Sequence, residues 1–127
     1  MIERTKSNLL TGEIIGAAID VHKELDPGLL ESVYEECLCI ELENRKINFE
    51  RQKGIDLQYK DVDIENKFIL DLIVENEIIV ELKSVKRLDP IHEAQLLSYL
   101  KLADKKYGLL INFNVQMLKQ GIKRLAN

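Results

Sequence analysis

Residues 68–74 read Phe-Ile-Leu-Asp-Leu-Ile-Val and residues 78–83 read Ile-Ile-Val-Glu-Leu-Lys. Both runs are rich in β-branched residues and apolar at positions of either parity, the composition of central strands covered on both faces. Inside them sit Asp71, Glu81 and Lys83. Ionisable groups are almost never fully buried unless they are paired or bind a metal, so their placement requires a reason. Successive strand residues point to opposite faces; Glu81 and Lys83 therefore project together, while Leu82 turns away and offers its backbone between them. Whether Asp71 joins them depends on register. A two-residue turn at Asn76-Glu77 sets Asp71 opposite Leu82, on the wrong face, whereas a three-residue loop of Glu75-Asn76-Glu77, or a bulge, sets it opposite Glu81. The expectation is an odd-length connection with Asn76 in a left-handed conformation.

Outward from this hairpin the chain divides into regular elements. Upstream, Ile14, Ile15, Ala18, Ile19, Val21, His22 and Leu25 recur at helical spacing over residues 9–25, until Asp26-Pro27-Gly28 breaks the pattern. A second helix is expected over 29–45, with an apolar arc of Leu30, Val33, Tyr34, Cys37, Leu38 and Ile40 and with Glu35, Glu36 and Glu43 toward water or an edge. Glu41 falls inside that arc without a physical account. Ile47, Phe49, Ile55, Leu57 and Tyr59 then alternate with polar residues as a strand with one wet face does. Downstream, Asp89-Pro90 is a helix start, Asp as N-cap and Pro at the first helical position. That helix runs to about Ala103, a buried strand covers 107–113, and the last dozen residues read either as a short helix at 115–119 or as a strand from Ile122. The order predicts an α/β fold, one domain over 1–127 with a central mixed sheet flanked by helices on both faces.

With 46% hydrophobic and 31% charged residues, 127 residues suffice for one core without disulfide or metal staples. Cys37 and Cys39, two apart on a helix, match neither a redox CxxC nor a zinc pair and read as core or free thiols. No signal-peptide order and no membrane-length apolar run is present, so a soluble, cytoplasmic protein with no membrane partner is expected. None of the six glycines lies in a phosphate-binding loop. A net charge of −4 disfavours coating of nucleic acid by the overall field, but a local basic rim suffices for an enzyme. Such rims exist at Lys83, Lys86 and Arg87 and along residues 119–124. His22 reads as an interior or interhelical histidine and His92 as a first-turn residue, and His92-Glu93 is not followed by the spacing of a zinc hydrolase.

Two readings of the buried charges follow from the residues alone. In one, Lys83 neutralises Glu81 in a buried salt bridge and Asp71 pairs elsewhere. In the other, the three form a phosphodiesterase centre. An Asp followed ten residues on by Glu-X-Lys resembles the signature of the PD-(D/E)XK nuclease superfamily. The fuller pattern is Gly28-Leu-Leu-Glu31-Ser-Val-Tyr34, Arg51-Gln52, Asp71, Glu81-Leu82-Lys83, His92-Glu-Ala-Gln95-Leu-Leu-Ser-Tyr99 and Gly108-Leu-Leu-Ile-Asn112-Phe113. In that order it is similar to the GxxExxxR family within the superfamily, over nearly the whole chain. Leu70 stands where the superfamily name has Pro, and Glu35 where the family pattern has Arg.

The resemblance implies a restriction-endonuclease-like core and a nuclease cutting nucleic acid, DNA before RNA. It implies magnesium, or manganese, on Asp71, Glu81 and the backbone carbonyl of Leu82, with Glu31 reaching the metal through a water. Lys83 would position or deprotonate the attacking water, and Gln95 with Tyr99 would form the accessory Gln-xxx-Tyr element. Glu35 is the second choice for the helical carboxylate. A homodimer would add surface for gripping a duplex. The competing expectation is a catalytically weak or inactive module that keeps the fold and binds nucleic acid or a protein partner.

Overall fold

The computed structural model describes residues 6–127, without the side chains of Asn66 and Lys67. The chain runs α1 (Lys6–Leu25), α2 (Glu31–Asn44), β1 (Phe49–Tyr59), β2 (Val62–Val74), β3 (Ile78–Lys83), α3 (Pro90–Ala103), β4 (Tyr107–Asn112) and β5 (Ile122–Ala126). A 3-10 turn at Leu118–Gly121 precedes β5, so a short helical turn and a strand both occur at the C-terminus, in succession. The five strands form one sheet in chain order. β3 and β4 are parallel, with α3 as their crossover, and the other neighbours are antiparallel. The expected mixed sheet with helices on both faces is the observed architecture. No described helix is long and apolar enough to cross a membrane.

Each face of the sheet carries its own core. On one, Ile14, Ala17, Ala18 and Val21 of α1, at i, i+3, i+4 and i+7, join Tyr34, Leu38 and Leu42 of α2 over Leu72, Val74, Val80, Leu82, Leu109 and Ile111. On the other, Leu96, Tyr99 and Leu100 of α3 cover Leu70, Ile73, Ile79 and Leu110. The central strands are thus buried from both sides, as their unbroken hydrophobicity requires.

The buried stripe of α2 differs from the one its periodicity suggests. Leu30 is 74% exposed and Val33 and Ile40 also face solvent, whereas Tyr34, Glu35, Leu38, Cys39 and Leu42 are buried. The reason is electrostatic: Glu35 is drawn inward by Arg51 and Gln52 of β1, which bond to its carboxylate, and the helix turns with it. Glu41 is half-buried beside a shallow hollow lined by Val21, Leu25 and Cys37.

The α1–α2 loop is fixed by Tyr34. Its hydroxyl donates to the Asp26 carbonyl at 2.6 Å and accepts from Leu29 N–H at 3.1 Å, while its ring stacks on Phe113 at 4.5 Å. Between those two anchor points lies Gly28, at a φ of +105° that side chains rarely adopt. Ser84, directly after β3, donates to the Leu29 carbonyl at 2.6 Å. The loop that starts α2 is thereby clamped to the end of β3. Tyr34→Phe keeps the stack and removes two part-buried hydrogen bonds, so urea unfolding should show a loss of about 1–3 kcal/mol, the net worth of two such bonds. A loss below ~0.5 kcal/mol, less than one net hydrogen bond, would remove the clamp from this account.

Candidate active site

Val74 pairs with Ile78, Ile73 with Ile79 and Leu72 with Val80. The connection is therefore the three residues Glu75-Asn76-Glu77, with φ +52° at both Glu75 and Asn76. The odd length carries Asp71 to Glu81. One step beyond Leu72 and Val80 the backbone ladder ends and side chains replace it: Asp71 N–H donates to Glu81 Oε1 at 3.0 Å, and Leu82 N–H donates to Asp71 Oδ2 at 2.8 Å. Each carboxylate satisfies an amide on the opposite strand that divergence of the strands would orphan.

A second break lies on the other side of Asp71. β1 pairs Arg51 with Leu72 and Lys53 with Leu70, passing over Gln52 and Asp71, and Gln52 has φ +49°. The alternation of β2 slips here: Phe68 and Leu70 pack under α3 together with Ile73, while Leu72 and Val74 pack under α1 and α2. Periodicity alone does not reveal this slip, because both phases of β2 are apolar.

Glu81 is only 5% exposed. Burial, and then the neighbouring Asp71 charge, push its pKa up to about 9 against the opposing pull of the Asp71 N–H bond and, less, of Lys83. Lys83 itself is half-buried and forms no ion pair among the described residues, so the structural salt bridge with Glu81 is not made. Glu31, the first residue of α2, is exposed, yet its carboxyl is raised by partial desolvation and next by Asp71, with Lys83 pulling it down. The helix start therefore stands within electrostatic reach of the centre. Tyr99 approaches from the α3 face: burial and then Glu81 and Asp71 raise its phenol, and its ring meets Phe68 edge-on at 5.8 Å.

Gln95, the expected partner of Tyr99 in the accessory element, does not share its burial. It is exposed one turn before Tyr99, because the buried stripe of α3 runs through Leu96, Tyr99 and Leu100. Glu35 is buried, and both of its oxygens are engaged, Oε1 by Gln52 Nε2 at 2.9 Å and Oε2 by Arg51 at 2.9 and 3.3 Å. It is a structural carboxylate rather than the second-choice ligand.

Sequence reasoning quoted Asn112 in the family-like pattern but gave it no role; it is 1% exposed at the end of β4. Its amide accepts from Val85 N–H at 3.0 Å and donates to the Val85 carbonyl at 2.9 Å, shaping the loop that carries exposed Lys86 and Arg87 away from Lys83. A Cβ on Gly121 would lie 2.2 Å from the Asn112 carbonyl oxygen, so only glycine fits there. An amide closing a strand of purely apolar residues was the available signal. His22 and His92 serve the fold: His22 Nε2 donates to the Val115 carbonyl at 2.7 Å, and His92 Nδ1 accepts from Asp89 N–H at 3.0 Å at the start of α3. Cys39 is buried with its thiol raised to about 11 by desolvation, and neither cysteine is bridged.

Among the described residues no group of three or more His, Cys, Asp and Glu is spaced to hold a metal. Asp71 and Glu81 are a two-carboxylate set of hard oxygen donors, the number on which a hard divalent cation such as magnesium is commonly held. Two crowded carboxylates in a desolvated position, one retaining a proton, are also what a hard divalent cation relieves. The donor set fits such an ion.

A family model described as the PD-(D/E)XK nuclease superfamily matches residues 8–125. No curated protein and no solved structure matches the chain.

The retained proton has a measurable consequence. The folded pair keeps until about pH 9 a proton that the unfolded chain releases near 4.5. Between those values the folded state binds more protons, so stability falls as pH rises, by at most about 1.4 kcal/mol per pH unit for one proton. In metal-free buffer the melting temperature should decline from about pH 5 to about pH 8, and Glu81→Gln should flatten that decline. An unchanged slope in the variant would assign the proton to another group.

Proposed function

The chain belongs to the PD-(D/E)XK nuclease superfamily, and from that premise we propose that the Asp71–Glu81–Lys83 centre hydrolyses phosphodiester bonds in nucleic acid, DNA before RNA, with magnesium or manganese. The observation that carries this reading is the reciprocal bonding of Asp71 and Glu81 across the diverging strands, with Lys83 on the Glu81 face and without an ion pair among the described residues. Within the superfamily, Gly28, Glu31 and the Gln95–Tyr99 pair support placement in the GxxExxxR family, with Glu35 in the position of its Arg.

Asp71, Glu81 and the carbonyl of Leu82 would hold the ion, with Glu31 at its outer side through a water. The ion supplies charge stabilisation to the non-bridging phosphate oxygens and acidifies water. The remaining work belongs to the protein. Lys83 orients the attacking water and counters the charge that develops on the phosphate. Tyr99 closes the centre from the α3 side and keeps Glu81 desolvated, and exposed Gln95, one turn away, is available to the scissile phosphate. Lys86 and Arg87 form a basic rim directly after Lys83, giving the substrate backbone a local attraction that the net charge of −4 lacks.

The acidic net charge and the two-carboxylate donor set also suit a member that binds nucleic acid or a protein partner without cutting. Titration of manganese into wild type, Asp71→Asn and Lys83→Ala, with cleavage of a DNA and RNA panel, separates the readings. Asp71→Asn should lose both metal affinity and cleavage. Lys83→Ala should keep metal affinity and lose cleavage by about 10²–10⁴-fold. A folded wild type that binds no manganese would remove the catalytic centre and leave the binding module.

A further inference from the structure

We infer that Glu35 and Gln52 are positioning residues for Asp71: Glu35 holds Gln52 in a left-handed conformation, and that conformation opens the β1–β2 ladder where Asp71 must turn toward β3. Arg51 and Gln52 are adjacent on β1, and adjacent residues of a regular strand point to opposite faces. Both nevertheless reach one carboxylate, Glu35, Arg51 through its guanidinium to Oε2 and Gln52 through Nε2 to Oε1 at 2.9 Å. That convergence requires a backbone reversal, and φ +49° at Gln52 provides it. A non-glycine residue keeps such a conformation only where its surroundings over-determine it. Here they do: Glu35 is 7% exposed, and Arg51 is bound a second time by Glu36 at 3.1 Å.

The consequence falls on the strand opposite. Gln52 and Asp71 are the step passed over between the Arg51–Leu72 and Lys53–Leu70 pairs. Continued from Ile73, the alternation of β2 would bury Asp71 under α3; continued from Leu70, it would bury it under α2. At the slip between the two phases its carboxylate instead reaches sideways to the Leu82 amide on β3. Glu35 thus acts on the centre without touching it. In this account Glu35, which stands where the family pattern has Arg, is the anchor of the kink.

The functional consequence rests on the reading of Asp71 as a metal ligand, while the positioning itself does not. Two variants test it. Gln52→Gly accepts the positive φ and removes the tether, and Gln52→Asn tolerates the conformation with a side chain one methylene too short to reach Glu35. Amide hydrogen exchange in the full-length protein should accelerate about tenfold or more at Asp71 and Leu82 in both variants, with Leu100 and Leu109 unchanged and the melting temperature close to wild type. Manganese affinity measured by calorimetry should fall about tenfold in parallel. Exchange at Asp71 and Leu82 within about twofold of wild type in either folded variant would overturn the positioning role. If wild type binds no manganese, the nuclease reading fails on its own, and the exchange data still decide what Gln52 does.

Discussion

The structure depends on a substitution of hydrogen-bond partners at one step of the sheet. Where β2 and β3 separate, two buried amides lose their ladder partners, and an unpaired buried N–H costs about 1–3 kcal/mol. Asp71 and Glu81 supply the missing acceptors, each to the other's strand. The carboxylates are therefore part of the sheet, and their spacing is set by strand geometry rather than by side-chain rotamers. Regular β structure between residues 72–74 and 78–80 fixes one end of that geometry, and the break at Gln52 fixes the other.

Around this step the loops are tied by single residues with several bonds each. Tyr34 holds both sides of Gly28, Ser84 holds Leu29, and Asn112 holds both backbone groups of Val85. All three connect chain segments that enter or leave the centre. Glu31 is delivered by the first clamp, and the basic loop beginning at Lys86 by the last. Precision at the site thus comes from polar groups in loops, while the two apolar cores provide the stiffness against which those groups act.

Much of this was legible in the sequence. The strands at 68–74 and 78–83 follow from their apolar content, and the three-residue connection follows from requiring Asp71 and Glu81 to meet. That requirement is a chemical constraint used to choose between registers, and the observed pairing agrees with it. What periodicity could not supply was any feature created by contact between distant elements. The exposed Leu30, Val33 and Ile40 look like the inner arc of α2 until Arg51 and Gln52 bring Glu35 inside. Gln95 and Tyr99 look like one pair, four residues apart, until the crossover geometry of α3 buries Tyr99 with Leu96 and leaves Gln95 exposed. The positive φ at Gln52 has no local signal, because Gln has no intrinsic preference for that region and adopts it only once Glu35 is in place.

The arrangement also explains why the centre tolerates its own repulsion. A buried Glu81 beside Asp71 destabilises the fold as pH rises, and Lys83 offsets this only in part. A tighter Lys83–Glu81 ion pair would stabilise the apoprotein, but it would occupy the carboxylate and the ammonium with each other. With Lys83 in no ion pair among the described residues, one group stays available for a cation and the other for an anion, and two amide bonds hold the carboxylates in place meanwhile. Stability lost at this step is recovered in the flanking cores, where Leu72, Val80 and Leu82 on one face and Ile73 and Ile79 on the other are almost wholly buried. The strands rich in β-branched residues and the charged residues inside them are therefore one design: the charges can be carried there because the surrounding positions are so uniformly apolar.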